Sequence, residues 1–437
     1  MRSMEGGAEV TVKPWKLILA ATIGNALEWY DFIVYGFLAA TLSGLFFPES
    51  DSKVALLMAT LSIGIGFVAR PLGAIVLGVY ADRVGRKPAM TLVILLMFIS
   101  TAMIAFAPTY AQLGIWATVL IACARLLQGF SAGGEFGSAT SYLIEFAPAH
   151  RKGFYGSWQM FAQASGALLS TLVGALLFKF YTQEQVDSWA WRIPFLIGLL
   201  IGPVGLYIRR HLDEPTEFAS AAHESVAFSV LWRSYWPQLL AGTAVSAAIN
   251  VMSYVIVTYL PLYAKQSLGM REGDAFLVLL AAVALRMALI PVFGLLSDRL
   301  GRRAILASAL MLFSATIYPG YSFVIAHPTV GSLLTVECWF ALLIAAAYAP
   351  CPTYLSELFP VRVRATGLSI AYNIAATVFG GFSIFIVTFI HQRTGSQLAP
   401  AHYAVSFFVL ALVAVFFVGA SARGAEPTLP ELQGEVS

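Results

Sequence analysis

Charge is the scarcest commodity in this chain: only 11% of its 437 residues are charged, against 59% hydrophobic ones. A water-soluble domain carries about 25% charged residues, so a hydrated surface cannot be covered and a soluble globular protein is excluded. The mean hydropathy of +0.78 agrees. Cysteine is nearly absent too. Cys123, Cys338 and Cys351 lie inside apolar runs with no pairing or metal-ligand spacing, which argues against a disulfide framework and a metal site. There is no nucleophile–base motif, so an enzyme is not expected. A net charge of +3 is no nucleic-acid footprint in a chain of this kind. The segment Met1 to Pro14 is polar and lacks the apolar stretch and small-residue site of a cleaved signal peptide.

What is present is a series of long apolar runs. A bilayer span needs about 20 apolar residues, and twelve runs qualify, at roughly 16–46, 54–80, 89–107, 112–146, 154–178, 190–210, 234–262, 274–297, 304–326, 331–356, 366–390 and 402–420. The expected fold is an all-α membrane protein of twelve transmembrane helices in two six-helix repeats. The longest interruption, Arg209 to Arg233, holds His211, Asp213, Glu214, Pro215, Glu217 and Glu224. The expected units are therefore residues 1–210, a cytoplasmic linker at 211–233, and residues 234–437 ending in a short cytoplasmic tail.

Two stretches repeat. Gly78-x-x-x-Asp82-Arg83-x-Gly85-Arg86-Lys87 returns as Gly294-x-x-x-Asp298-Arg299-x-Gly301-Arg302-Arg303, an offset of 216 (82 to 298). Glu145-x-x-Pro148 followed by Arg151-Lys152-Gly153 returns as Glu357-x-x-Pro360 followed by Arg362 and Arg364, an offset of 212 (145 to 357). One copy would be no more than a basic turn between helices; two in fixed order indicate duplication of a unit. Alternate loops carry Arg83/Arg86/Lys87, Arg151/Lys152, Arg209/Arg210, Arg299/Arg302/Arg303 and Arg362/Arg364. Those loops are assigned to the cytoplasm, with both termini inside. Equal sidedness of the two copies makes the repeats parallel, related by an axis along the membrane normal.

Ionisable groups deep in a span cost several kcal/mol and are functional candidates. Glu28 and Asp31 lie roughly 18 and 22 Å into the first run, counted from Lys16 at about 1.5 Å per residue. With Gly24 and Tyr35 they form one helical stripe, which must face protein or a water-filled cavity. Their two readings are a proton or substrate role, or pairing with buried arginines. Arg70 and Arg286 each stand twelve residues before a motif aspartate (70 to 82, 286 to 298), about 18 Å from the basic face at mid-bilayer depth. A guanidinium fork suits a carboxylate. Arg70 has the rival reading of a salt bridge to Glu28 or Asp31; Arg286 has fewer rivals. Arg125 and Glu135 lie in the fourth run, and Glu337 occupies the repeat position of Arg125 (125 to 337), which suggests a pair across the outer face. Asn250, Tyr254, Tyr372 and Asn373 are uncharged candidates for substrate contact or interhelical hydrogen bonds. With Glu28, Asp31 and Glu135 in the first repeat and only Glu337 in the second, proton handling is expected in the first.

The chain resembles the major facilitator superfamily, and within it the metabolite:proton symporter branch. The resemblance rests on both Gly-x-x-x-Asp-Arg-x-Gly-Arg loops, on Arg125-x-x-Gln128-Gly129-x-x-x-Gly133, and on Glu28-Trp29-Tyr30-Asp31-Phe32, Arg70-Pro71-Leu72-Gly73, Gly133-Gly134-Glu135 and Trp191-Arg192-Ile193-Pro194-Phe195. It implies the major facilitator fold and a proton-coupled secondary transporter in the bacterial inner membrane. Members carry citrate and other di- or tricarboxylates, 2-oxoglutarate, shikimate, aromatic acids, or zwitterions such as proline and betaine. The short tail after Ser421, with Pro427 and Pro430 against any heptad, and the second central cation Arg286 lean toward an organic anion of the citrate or tricarballylate kind.

The expected assignment is thus import of a small organic acid, with Arg70, Arg286, Asn250, Tyr254, Tyr372 and Asn373 at the substrate. Glu28, Asp31, Glu135 and Arg125 are expected to serve proton coupling. The gate would comprise Gly78, Asp82, Arg83, Gly85, Arg86, Glu145 and Arg151 with Gly294, Asp298, Arg299, Gly301, Arg302, Glu357 and Arg364. No cofactor beyond the proton and no metal is expected; the partners are the organic anion, protons and the lipid bilayer. The alternatives are symport of a zwitterionic osmolyte or of shikimate or an aromatic acid, and, outside transport, a membrane metabolite sensor. No oligomeric state follows from these residues.

Overall fold

A computed structural model describes residues 14–47, 52–210, 228–253, 255, 272–380 and 382–421. Tyr254, most of the 211–233 linker and the tail beyond Ser421 lie outside the described residues. Every regular element among them is helical. Each apolar run holds one principal helix: α1 (Pro14–Phe37), α2 (Ser52–Val84), α3 (Arg86–Ala105), α4 (Ile115–Phe146), α5 (Lys152–Phe180), α6 (Arg192–Arg210), α7 (Trp236–Val251), α8 (Glu272–Leu300), α9 (Arg302–Ala326), α10 (Val330–Tyr348), α11 (Arg364–Ala375) and α12 (Ala399–Ser421). Eight described helices are long and apolar enough to cross a membrane, or nine if the bent pair Gln183–Ala190 and Arg192–Tyr207 is one span. Several runs are broken: a π turn at Ala376–Gly380 separates α11 from a further helix, Ser383–Thr394. Large apolar side chains such as Leu200 and Phe417 stand about three-quarters exposed, at 74% and 73%. Such an exterior is tolerable in hydrocarbon and an aggregation liability in water.

The helix contacts repeat as the sequence does. In the first half α1 packs on α5 and α6, α4 on α2 and α3, and α3 on α6. In the second, α7 packs on α11 and α12, α10 on α8 and α9, and α9 on α12. The halves meet through α2 against α11 and α5 against α8, a reciprocal pair of the kind a two-fold axis produces. One apolar core lies within the first half around Tyr30, Trp191 and Phe195; the other is built around Phe313, Phe340 and Phe408 of the second half and reaches across to Phe136 and Met160 of the first.

Two local features fix the helices that carry the site. Backbone approach between α2 and α4 is so close that a Cβ on Gly129 would sit 1.8 Å from the Gly66 carbonyl oxygen; small residues permit such contact in membranes. Pro71, inside α2, has no N–H to give the carbonyl four residues back. That carbonyl, on Phe67, instead accepts from Thr377 Oγ1 at 3.1 Å. A residue of the second half thereby repairs a helix of the first, one residue after Arg70.

Candidate functional site

The two repeated motifs form the seal of the basic-loop face, each across the boundary between halves. Asp82 accepts from the N–H groups of Ala365 and Thr366 at 3.1 and 2.8 Å, and from Thr366 Oγ1 at 2.5 Å. Asp298 accepts from the N–H groups of Gly153 and Phe154 at 2.7 and 2.8 Å. Each aspartate of one half thus caps a helix of the other, α11 and α5 respectively. Such a cap satisfies otherwise orphaned N–H groups, contributes about 0.5–2 kcal/mol and meets the positive end of the helix dipole. Gly78 and Gly294 allow the approach: a Cβ on Gly78 would lie 2.8 Å from Thr366 Cα, and one on Gly294 2.5 Å from Ser157 Oγ. Gly85 and Gly301 turn the chain into the next helix at φ of 128° and 94°, which L side chains rarely adopt.

The arginines of the two seals differ. Arg86 is fully buried and spends all five donors: Nη1 on Asp82 (2.5 Å) and Ala81 O (2.9 Å), Nε and Nη2 on the two Glu145 oxygens (3.1 and 3.0 Å), and Nη2 also on Val361 O (2.7 Å). Glu145 is shared with Arg364 of the other half at 3.0 Å. Arg302 is partly exposed, holds Asp298 at 2.8 Å and stands 3.5 Å from Glu357, whose side chain is 46% exposed. Arg83, Arg151 and Arg299 are exposed. The seal therefore has a dry half centred on Arg86 and a wetter half centred on Arg302.

Away from this seal lies a cavity of about 420 Å³ between the halves, lined from α1, α2 and α5 on one side and from α8, α10 and Ser253 on the other. Its wall is largely apolar and aromatic, with Trp29, Phe32, Phe67 and Tyr348, and its polar groups include Gln163 and Arg286. Arg286 is buried, sits over the Tyr348 ring at 5.5 Å, and leaves Nε and Nη1 without a hydrogen-bond partner among the described residues.

Arg70, at the matching place in the first half, does not line the cavity. It gives Nη2 to Glu28 Oε1 at 2.7 Å, both side chains buried. The rings of Phe32 and Phe67 lie 4.5 and 4.9 Å from its guanidinium carbon. Those two rings belong to the cavity wall, so they form a floor beneath which Arg70 is held. The stripe of Glu28 and Asp31 faces protein; the cavity face of α1 is Trp29, Phe32, Ile33 and Gly36.

The two acids of α1 have different company. Asp31 is buried: Oδ2 accepts from Thr101 Oγ1, and Oδ1 has no hydrogen-bond partner among the described residues. A polar chain leads away from it. Gln128 Nε2 reaches Thr101 Oγ1 at 3.4 Å, and Arg125 Nη1 donates to Gln128 Oε1 at 2.6 Å. Arg125 itself stacks on Phe32 and Tyr35 at 4.8 and 4.1 Å. Glu135 is buried nearby on α4. The expected Arg125–Glu337 pair gives way to another arrangement: Arg125 is enclosed by its own half, and Glu337 shares a small cavity with Arg286.

The uncharged candidates are occupied by the fold. Asn250 donates to Ser246 O on its own helix at 2.8 Å. Asn373 donates to Gly133 O across the halves and to Ser369 O, both at 2.8 Å. Tyr372 stacks on Phe136, ring centroids 3.7 Å apart, and accepts from Gln163 Nε2 at 2.7 Å. Tyr254 lies outside the described residues. The residues that sequence reasoning passed over are Trp29, Phe32, Phe67, Gln163 and Tyr348. Gln163 left one signal, an amide in an apolar run, and Trp29 and Phe32 another, as neighbours of Glu28 and Asp31 in a family motif.

A cavity between two six-helix halves, closed at one face by duplicated motifs, is the architecture of a secondary transporter. The sugar (and other) transporter family model matches residues 17–218 and 208–423. The chain belongs to this family and has the twelve-helix major facilitator fold; it is a membrane transporter and not an enzyme. It is 35% identical to a citrate-proton symporter of Klebsiella pneumoniae over 421 residues, covering 96% of this chain and 94% of that protein. It is 31% identical to a proline/betaine transporter of Salmonella typhimurium over 436 residues, covering 96% and 87%. The structure of a proton:xylose symporter bound to 6-bromo-6-deoxy-D-glucose superposes with a TM-score of 0.77 at 18% identity, covering 97% and 99% of the two chains. That of the human organic anion transporter MFSD10 gives 0.70 at 13% identity, covering 93% and 100%.

Proposed function

We propose that the chain is a proton-coupled symporter that imports a small organic anion, a di- or tricarboxylate such as citrate, across a bacterial inner membrane. The observation that carries this reading is Arg286: a buried guanidinium at the wall of the cavity between the halves, with two nitrogens unpartnered among the described residues. Such a cation is costly to bury alone and is suited to a carboxylate. Similarity to the Klebsiella citrate-proton symporter supports the anion and the proton. The basic-loop face is assigned to the cytoplasm, so the cavity lies on the outer side of the seal, ready to load.

Proton coupling has a physical reason. Moving one elementary charge across 100 mV is worth about 2.3 kcal/mol, so each anionic charge entering a negative-inside cell climbs by that amount, and each accompanying proton offsets it. Asp31 and Glu28 are the acids assigned to carry the proton, Arg70 joins Arg286 at the substrate once the aromatic floor moves, and the halves rock about the cavity to alternate access.

A second reading is favoured by a specific observation. The aromatic wall of Trp29, Phe32, Phe67 and Tyr348 beside one arginine also suits a zwitterion, its ammonium on the rings and its carboxylate on Arg286. The proline/betaine relative supports it, and shikimate or an aromatic acid would use the same wall. Uptake into proteoliposomes with and without an inward proton gradient tests both. Competition by citrate, tricarballylate, 2-oxoglutarate, shikimate, proline and betaine ranks the substrates. Gradient-driven citrate uptake supports the anion reading, and competition by betaine and proline alone would replace it. Binding without uptake would point to a sensor.

A further inference from the structure

Behind Arg286, away from the main cavity, lies a second, very small one of about 10 Å³. That is near the space one water needs. Leu279, Val283 and Arg286 line both cavities, so these residues are the partition between them. On the far side stands Glu337 of α10, buried, with Oε1 lacking any hydrogen-bond partner among the described residues. The partition thus holds a guanidinium with unpartnered nitrogens, and the space behind it holds a carboxylate with an unpartnered oxygen. Apolar Ala282, Ala341 and Ile344 complete the small cavity.

The surroundings leave Glu337 with one charge to answer to. From α8 that charge is Arg286. The described part of α7 carries no ionisable side chain, α9 offers the buried Tyr321, and α10 itself carries Cys338 and Tyr348. Tyr348 gives its hydroxyl to Ile249 O at 3.0 Å. An ionised Glu337 would therefore depend on Arg286 for compensation, directly or through a water in the cavity they share.

We propose that Glu337 is a proton-binding residue of the second half, coupled to substrate through Arg286. With the main cavity empty, Glu337 is the ionised counter-charge behind Arg286. When a substrate carboxylate engages Arg286 from the front, the cation is shared, and Glu337 takes up one proton from water as an O–H bond forms on its carboxylate. The positive charge of Arg286 is then balanced by the substrate instead of by Glu337. One proton is bound for one carboxylate bound, in a half whose seal acids, Asp298 and Glu357, are already engaged. The inference rests on the main cavity being the substrate site.

Infrared spectroscopy of the purified, reconstituted full-length transporter tests it through the carbonyl band of a protonated carboxyl group. The part of that band missing from E337Q belongs to Glu337. Without ligand, the Glu337 band should vanish on alkalinisation in the wild type, persist to a pH roughly one unit or more higher in R286Q, and return to wild-type behaviour in R286K, which keeps the charge. Adding citrate at a pH about one unit above the wild-type midpoint, where the ligand-free band is nearly gone, should restore the band and bind close to one more proton than in E337Q, read with an indicator dye in weak buffer. Identical titration of wild type and R286Q overturns the pairing. A band indifferent to citrate, in a transporter that takes citrate up, overturns the coupling. If citrate is neither bound nor moved, the citrate assignment fails, and the ligand-free titration still decides the Arg286–Glu337 pair.

Discussion

Arg70 and Arg286 occupy equivalent places in the two halves, yet among the described residues only Arg70 has a carboxylate partner within hydrogen-bond distance: Glu28 Oε1 lies 2.7 Å from its Nη2. The duplicated position has been resolved in one half as an ion pair under an aromatic floor and in the other as a cation at the cavity wall. This inequality makes the two arginines separable by mutation.

Glu28→Gln leaves Arg70 buried without its counter-charge. Breaking a buried pair by removing one partner costs about 3–5 kcal/mol. The single variant should show a clearly lowered unfolding temperature in detergent, and Glu28→Gln combined with Arg70→Gln should recover much of the loss. A thermal-shift double-mutant cycle measures this; additive losses would show that the two side chains do not act as a pair.

Arg286→Ala should weaken substrate binding far more than it weakens the fold. A hydrogen bond to a charged group contributes about 1.5–3 kcal/mol, or roughly ten- to over a hundredfold in affinity. Equilibrium binding of citrate to purified variants checks this. Because Arg286 makes few bonds to the described residues, the unfolding temperature should move less than in Glu28→Gln.

Asp31→Asn should abolish uptake driven by a proton gradient while leaving substrate exchange intact. Asp31 binds Thr101 and does not line the cavity, so the substitution removes the proposed proton site and leaves the cavity lining unchanged. Proteoliposomes loaded with unlabelled citrate measure exchange, and an imposed pH step measures driven uptake. Full acid-driven uptake by the variant would remove Asp31 from the coupling path.

Asp82→Asn and Asp298→Asn should both open the basic-loop face, the first more than the second. Asp82 caps α11 through three bonds and also holds the fully buried Arg86, whereas Arg302 beside Asp298 is partly solvated. Spin labels at exposed Arg83 and Arg299 report the separation of the halves by pulsed electron resonance. The distribution should gain a longer component in both variants, with the larger share in Asp82→Asn.

Much of the fold was legible because the bilayer writes plainly: each apolar run holds a helix, and the repeated Asp-Arg motif marks where the halves meet. The rule of twelve residues placed Arg70 and Arg286 in symmetry-equivalent positions. What the residues did not disclose was which side of each helix faces the cavity. In water a helix advertises its buried face by apolar periodicity, but lipid is as apolar as a protein core, so Trp29, Phe32 and Phe67 are indistinguishable in sequence from lipid-facing residues. The Glu28–Asp31 stripe was visible, yet its acids look into the first half. In sequence Asn250 and Asn373 are open to either substrate contact or interhelical hydrogen bonds, because a polar side chain in a span needs some partner; Asn373 finds one on another helix at Gly133 O, and Asn250 one on its own helix at Ser246 O.

The crosswise caps carry one more implication. A surface in which one half's aspartate ends a helix of the other, and the reverse, is self-complementary: it is the contact that two copies of one subunit would make about a two-fold axis. Joined in a single chain, the halves make it at the high effective concentration of a tethered pair. Individual contacts can therefore stay weak enough to break and re-form in every cycle without the partners ever being lost to one another.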